Sequence, residues 1–358
     1  MDLMPIEHIP DWERRIERQD AFWQGEILDR PVVTITLPKA EPEYSPPEKT
    51  WDSLRDRWFD AEYAAEKAMA AAMNNRYLGD ALPHAYPNLG PEVFSSFFGT
   101  EMEYGDRTSW SIPNLENWAE MDELQFSTDN VYWDKLMEIT DVMLEMGQNR
   151  FYTGMTDLHP GGDAIAAFRD PAQLAMDLLE HPDEVKVLLR RVTDAFFRTY
   201  DAFADRLIES GQAICTWAGI VSSKRWYVPS NDFSCMISNQ MFEEFFLPGI
   251  AEECEHLEAS IYHLDGPNAL QHLDSLLELE ELDAVQWVYG AGRGPASEWL
   301  DVYKRCQDAG KGLQIRMGVE ELDTFMEELR PEGLWIGLNG VDSEEHAEHL
   351  LSKVEGWT

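Results

Sequence analysis

The chain is short of basic residues, and this shortage excludes whole classes of partner. Its 358 residues include 28 Lys and Arg against 68 Asp and Glu, which gives a formal net charge of -40. Nucleic acids and anionic lipid surfaces both require a concentration of positive charge on the protein. The composition therefore predicts no nucleic-acid partner and no membrane partner, and it is typical of a self-repelling, highly soluble surface.

Cysteine and long apolar runs are also scarce. The cysteines are Cys215, Cys235, Cys254 and Cys306, and no two of them have the Cys-x-x-Cys spacing of a redox or zinc motif. No window approaches the roughly 20 apolar residues of a membrane span, and the first residues are acidic where a secretion signal is basic. These features predict reduced thiols and a cytoplasmic protein.

Strand-like and amphipathic helical segments alternate from residue 30 onward, which is typical of βα units and a parallel sheet. The eight strand candidates are residues 31–38, 80–86, 150–159, 212–219, 260–266, 284–290, 312–318 and 334–340. This tally predicts the α/β class and a (β/α)₈ TIM barrel over residues 30–358, with residues 1–29 as an N-terminal helical extension. The excursion over residues 87–128 is expected to form a pocket wall or lid, with Phe97 and Trp110 over the ligand.

The fifth strand candidate, SIYHLDG (260–266), carries two ionisable residues at its end. Alternate side chains of a strand share a face, so His263 and Asp265 point one way while Tyr262 and Leu264 point the other. If Tyr262 and Leu264 pack against helices, the ionisable pair faces the barrel mouth, where barrel enzymes hold their chemistry. A histidine and a carboxylate in that place either bind a divalent metal or act as general acid and base.

Other polar or aromatic residues fall at strand ends or in the following loops, and we expect them around the same mouth. They are His84, Asp157, His159, Trp217, Asp232, Cys235, Gln286, Tyr289, Arg316 and Asn339. Several roles stay open. Asp232 suits a general base, a metal ligand or a turn; Cys235 suits a thiolate ligand or a small buried side chain. Arg316 suits an anchor for an anionic substrate group or the partner of an acidic residue.

Four segments together resemble the uroporphyrinogen decarboxylase superfamily. They are HPDEVKVLLRRVTDAFFRTYDAFADRLIESGQAI, ISNQMFEEFFLPGI, the strand with HLDG, and GLWIGLNGVD near the last strand. The superfamily includes the decarboxylase and zinc-dependent methyltransferases that move methyl groups between corrinoid proteins and thiols. The resemblance implies a (β/α)₈ barrel with an N-terminal helical extension, and a homodimer.

The sequence departs from both branches at informative positions. RPVVTITLPKAEPEY opens like the decarboxylase strand, but Leu37 and the residues after it supply no arginine to grip tetrapyrrole carboxylates. The methyltransferase zinc motif His-x-Cys reads His263-x-Asp265 here, and no cysteine follows Cys306. A site of nitrogen and oxygen donors suits a harder metal, or zinc held more weakly.

The resemblance therefore implies a metal-assisted, methyltransferase-like enzyme. His263, Asp265 and Cys235 are the expected ligands of a divalent metal, zinc foremost. Asp232 and Asp157 are expected to act with the ligand pair in catalysis, and Arg316 to hold an anionic group of a small-molecule substrate. The expected partner is a protein that carries a corrinoid.

A second hypothesis is a metal-free, carbohydrate-active hydrolase or lyase. Asp157 or Asp232 would act with Asp265 as an acid and base pair, and some of the 13 tryptophans would stack on sugar rings. A third is a barrel that binds a ligand without turning it over.

Overall fold

The fold is built around a mostly parallel sheet of seven strands. The structure is a computed structural model that describes residues 3–357. Its strands are β1 (Val32–Pro38), β2 (Asn75–Gly79), β3 (His84–Ala85), β4 (Glu101–Tyr104), β5 (Ser109–Ile112), β6 (Tyr152–Thr153), β7 (Ile214–Cys215), β8 (Val221–Ser222), β9 (Trp226–Tyr227), β10 (Ala259–Asp265), β11 (Ala284–Val288), β12 (Gly312–Gly318) and β13 (Leu334–Asn339). The central sheet has the order β2-β1-β13-β12-β11-β10-β9.

Helices lie between most of the strands and cover the sheet. They are α1 (Trp12–Phe22), α2 (Leu54–Trp58), α3 (Ala61–Met73), α4 (Val93–Ser96), α5 (Val131–Met146), α6 (Gly161–Arg169), α7 (Pro171–Glu180), α8 (Pro182–Glu209), α9 (Asn239–Met241), α10 (Leu247–His256), α11 (Leu273–Leu277), α12 (Leu300–Asp308), α13 (Leu322–Glu328) and α14 (Glu344–Glu355). The longest, α8, begins with proline at its first position and has acidic residues in its first turn, as helix starts favour. None of the helices in the described part of the chain is both long and apolar enough to cross a bilayer.

The prediction of α/β architecture is confirmed, and each of the eight predicted strand segments contains a strand. The prediction of one continuous barrel ladder is not: within residues 3–357 the strands form the seven-stranded sheet and three separate pairs. Strands β3, β6 and β7 are only two residues long. Pro83 has no N–H to donate before β3, and a turn closed by Gly219 N–H on the Thr216 carbonyl ends the extended chain after β7.

The topology still brings the strand ends together at one edge. The last strand of the chain, β13, pairs in parallel with the first, β1, so the two ends of the chain order are neighbours in the sheet. Strands β9 to β13 also run parallel to their neighbours. Their carboxyl ends, and the loops that follow them, therefore share one rim, which is where the candidate site lies.

The excursion after β3 contributes both core and surface. Phe97 is 1% exposed and packs against Phe94, Phe126 and Trp133, so it belongs to the hydrophobic core. The expectation that Phe97 covers a ligand is therefore wrong. Trp110, in the β4–β5 hairpin, is 44% exposed, and its indole N–H donates to Glu103.

Candidate functional site

Three side chains converge at the end of β10 and in the loop after β9. Asp232, His263 and Asp265 each place a ligand atom within 4.8 Å of the others. Strand β10 orients two of them by its alternation, because Tyr262 and Leu264 are each 1% exposed in the core while His263 and Asp265 are half-buried on the other face. The carboxylates and the imidazole thus form a compact group of one nitrogen and two oxygen donors.

A chain of amide hydrogen bonds fixes the His263 ring. His263 Nδ1 bonds the Gln286 side-chain oxygen, Gln286 donates to Gln314, and Gln314 donates at 2.8 Å to the Ala218 carbonyl. A backbone carbonyl can only accept, so it determines the orientation of both amides and places the proton on Nδ1. In the neutral ring Nε2 of His263 then keeps its lone pair, as a metal ligand or proton acceptor requires.

A second group of charged side chains surrounds His159. The ring lies between two carboxylates, 3.1 Å from Asp157 and 3.5 Å from Asp163. Burial lowers the pKa of His159, but the charges and hydrogen bonds of Asp157 and Asp163 outweigh it and raise the pKa well above its ordinary value. His159 therefore carries a proton at neutral pH, which makes it an ion-pair partner for the carboxylates and a poor metal ligand.

Asp163 holds the loop that carries Asp232. Its carboxylate accepts the backbone N–H of Asp232 at 3.0 Å and that of Phe233 at 2.8 Å. The acidic surroundings affect Asp232 in turn. Asp232 is exposed to solvent, yet protein packs around its carboxyl group, and this desolvation, followed by the charge of Asp163, raises its pKa to about 6. Asp232 therefore changes its protonation state close to neutrality.

A cavity of about 460 Å³ opens beside His263. Its lining includes Trp217, His263, Gln286, Tyr289, Gln314 and Arg316. The rings of Trp217 and His263 meet edge to face with their centroids 5.0 Å apart, and the rings of Tyr289 and Trp299 stack with their centroids 5.9 Å apart. The lining of the cavity thus combines aromatic rings with the amide chain and a guanidinium.

Arg316 is the cation of this cavity. It donates from Nη2 to the Ala218 carbonyl at 3.2 Å, and it forms no ion pair with any carboxylate of residues 3–357. His84 lies beside it with Nδ1 bonded to the Leu82 carbonyl, and burial, then more weakly the Arg316 charge, lowers the pKa of His84. An unpaired guanidinium next to a neutral imidazole is suited to binding an anionic group.

The structure gathers most of the residues singled out in the sequence and leaves a few aside. Around the two groups and the cavity lie His84, Asp157, His159, Trp217, Asp232, His263, Asp265, Gln286, Tyr289 and Arg316. Within the described chain, Cys235 belongs neither to the Asp232, His263 and Asp265 group nor to the group around His159. Burial raises the pKa of its thiol. Asn339 lies exposed at the end of β13 and does not line the cavity.

Two residues of the site were missed in the sequence, Asp163 and Gln314. Asp163 follows Pro160, Gly161 and Gly162 at the start of α6, and the available signal was the Pro-Gly-Gly break directly after the predicted strand segment 150–159. Gln314 is a polar residue inside an otherwise apolar strand, only 1% exposed, and such a residue needs a partner.

The donor set of Asp232, His263 and Asp265 fits a divalent metal. Zinc accepts imidazole nitrogen and carboxylate oxygen, and harder metals such as manganese favour the carboxylates. The amide chain behind His263 is the kind of outer-shell support that orients a ligating histidine. Without a thiolate, the set implies weaker zinc binding than a site with cysteine ligands.

The fold, but not the sequence, matches a known protein. No family model matches the chain, and no curated protein sequence matches it. Its structure is similar to that of a methyltransferase from Methanosarcina mazei, with a TM-score of 0.56 over 96% of this chain and 98% of that one. The two sequences are 12% identical, so the likeness shows a shared fold.

Proposed function

We propose that this protein is a metal-assisted methyltransferase acting on a small molecule, with Asp232, His263 and Asp265 as its metal ligands. The observation that carries the proposal is the convergence of these three side chains at the strand ends, next to an open cavity. Its support from outside the chain is the similarity of fold to a protein described as a methyltransferase, together with the resemblance of sequence segments. Zinc is the metal proposed first.

In this proposal each residue of the site has a separate role. His263 and Asp265 bind the metal, and the Gln286 amide holds the imidazole in the ligating tautomer. When bound, the metal supplies a lowered pKa to a thiol or hydroxyl of the substrate. Asp232 completes the ligand set from the loop after β9. Arg316 binds an anionic group of the substrate.

The finer features of the proposal come from the superfamily. A methyl group has to come from a donor, and we propose a corrinoid carried by a separate protein, met at the open rim of the strand ends. We also propose that the eight strand segments form one barrel wall in a cytoplasmic homodimer. The pairing of β13 with β1 supports the barrel.

A metal-free hydrolase or lyase is the second candidate. It is favoured by one observation, the raised pKa of Asp232, because a carboxylic acid that stays partly protonated near neutrality can protonate a leaving group. Asp265 would then be the second carboxylate, and Trp217 the stacking surface of the cavity.

The test combines elemental analysis with methyl transfer. We expect the purified protein to hold about one zinc and to transfer the methyl group of methylcobalamin to a thiol. His263→Ala and Asp265→Ala should both remove the metal and the activity. The matched control is the double variant His346→Ala and Asp342→Ala, which removes a histidine–aspartate pair at the N-terminal end of α14, outside the ligand group and its cavity. A metal-free wild type that cleaves glycosides would establish the second candidate and overturn the first.

A further inference from the structure

A second cavity, of about 580 Å³, adjoins the first. It is bounded by α2, α3, the residues around β3 and the turn of the β4–β5 hairpin. Trp217 lines both cavities and is therefore a wall that they share. The excursion after β3 therefore contributes a wall to the site through its hairpin turn.

The charge of this second cavity is opposite to that of the whole protein. Three cations line it, Arg57, Lys67 and Arg107, against one acidic residue, Asp106. Only Arg57 is paired, at 3.7 Å from the Asp106 carboxylate, and its guanidinium is also held by the Asp106 carbonyl at 2.7 Å. Within residues 3–357, Lys67 and Arg107 form no ion pair.

Unpaired cations are the minority in this chain. With 68 acidic residues for 28 basic ones, an arginine or lysine readily finds a carboxylate, and most do. Of the nine basic residues without such a partner in the described chain, three line the two adjoining cavities: Lys67, Arg107 and Arg316. A group of unsatisfied cations in a concave site is suited to bind an anion.

Aromatic side chains form the remaining walls. Trp58, Tyr63, Tyr86 and Trp217 line the second cavity. Trp58 is fixed by a hydrogen bond from its indole N–H to the Gly105 carbonyl at 2.9 Å, which ties α2 to the hairpin turn. Rigid aromatic faces favour a flat, apolar body between them.

Gly219 lies beside Arg316 of the first cavity and His84 of the second. Its φ of +87° is one that glycine adopts readily, and a methyl group at this position would lie 3.5 Å from Arg316 Nη2 and 3.8 Å from His84 Nε2. Arg316 and His84 therefore flank one point, Arg316 in the lining of the His263 cavity and His84 in that of the cationic cavity.

We infer that the second cavity binds the anionic end of a flat, aromatic substrate, a carboxylate or phosphate held by Lys67 and Arg107. The ring of that substrate lies against Trp217, and its other end reaches His263 in the first cavity. This inference names the substrate class for the proposed function and rests on it for the reaction, but the anion site can be tested without any turnover.

The test uses benzoate and its neutral analogue benzamide as probes, with binding followed by calorimetry and tryptophan fluorescence. Benzoate should bind about tenfold more tightly than benzamide, the ratio that corresponds to one charge-assisted hydrogen bond. The double variant Lys67→Gln and Arg107→Gln should remove this preference. Arg150→Gln is the matched control, because Arg150 is also exposed and forms no ion pair in residues 3–357, yet lines neither cavity.

Further probes separate the alternatives. Phenyl phosphate is compared with benzoate, and tighter binding of either one identifies the anionic group while supporting the site. Equal binding of benzoate and benzamide, or the same loss in Arg150→Gln, overturns the inference. Inorganic phosphate that binds as tightly as phenyl phosphate overturns the aromatic body. Zinc titration of the same samples tests the proposed function separately, since a protein that binds benzoate as expected but no zinc keeps the anion site and loses the metal centre.

Discussion

The rim of the strand ends has two sides of opposite charge. On the acidic side, around β10 and the start of α6, lie Asp163, Asp232 and Asp265 with two histidines among them. On the cationic side lie Arg316 and, beyond Trp217, Lys67 and Arg107. The Gln286–Gln314 amide chain lies between the two sides and connects them to the Ala218 carbonyl.

The charges of the two sides are compensated in different ways. On the acidic side the compensation comes from the side itself, because His159 is held protonated between Asp157 and Asp163, and Asp232 keeps a proton up to about pH 6. The cationic side has no internal partner within the described chain. Composition alone would have drawn attention to the carboxylates, which are everywhere in this protein. The positions of Lys67, Arg107 and Arg316, which line the two cavities without a carboxylate partner, are equally informative about the ligand.

The largest effect is expected from Glu253, which lies behind the acidic side on α10. It is 2% exposed, and burial, followed by the charges of Asp163 and Glu252, raises its pKa to about 8. A carboxyl with a raised folded-state pKa stabilises the fold only while protonated, so this contribution is present below about pH 4.5 and is lost as the pH rises through 8. The free energy of unfolding should fall by roughly 3 to 5 kcal/mol over that interval.

Glu253→Gln should remove that dependence. Urea denaturation of both proteins from pH 5 to pH 9 measures it, and the difference in stability between them should grow with pH and level off above pH 8. Glu255→Gln is the control, because Glu255 is an exposed carboxylate on the same helix and is not one of the charges that raise the Glu253 pKa. Parallel stability curves for wild type and Glu253→Gln would show that Glu253 is ionised in the fold.

The next effect concerns the amide chain between the sides. Gln286→Leu removes the acceptor of the His263 Nδ1 proton, and we expect zinc affinity to fall by about 10- to 100-fold, as for other outer-shell partners of a ligating histidine. Gln286→Glu restores an acceptor and should recover most of the affinity. Competition titration with a chromogenic chelator provides the measurement. Equal zinc affinity in all three proteins would mean that the imidazole is not a ligand.

Much of this arrangement was predictable from the sequence, because strand alternation determines side-chain direction. Tyr262 and Leu264 are the apolar partners that face the core, and this alone orients His263 and Asp265. The strand identities were predictable for the same reason, from apolar runs bounded by glycine. Which side chains of a strand share a face depends only on the residues of that strand, so it can be predicted from one segment.

The rest depended on contacts between distant segments. Strand β2 (Asn75–Gly79) is polar and directly follows α3, so nothing in its own residues indicates a strand; its pairing with β1 does. Asp80, in the same predicted strand segment as His84, is fully buried between Arg18 and Arg30 and accepts the Val33 N–H, so its role is structural. The three cations of the second cavity come from α2, α3 and the β4–β5 turn, which no single motif joins.

The smallest effect, and the one that compares the two sides directly, is expected from Arg316. Arg316→Gln removes a positive charge that lies close to both the anion and the metal, so the two affinities should change in opposite directions. Benzoate should bind about fivefold more weakly, since the cation is only partly desolvated. Zinc should bind about twofold more tightly, since a neighbouring cation no longer repels it.

Arg316→Lys keeps the charge and loses the planar fork, so it should leave zinc affinity unchanged while weakening benzoate by less than the glutamine variant does. Both titrations at 50 mM and 500 mM salt complete the comparison, because screening reduces a charge effect and leaves a packing effect in place. If Arg316→Gln weakens zinc and benzoate together, the substitution has disturbed the Ala218 carbonyl and the amide chain that ends on it. The two sides would then act as one structural unit, and their opposite charges would not describe two separate binding functions.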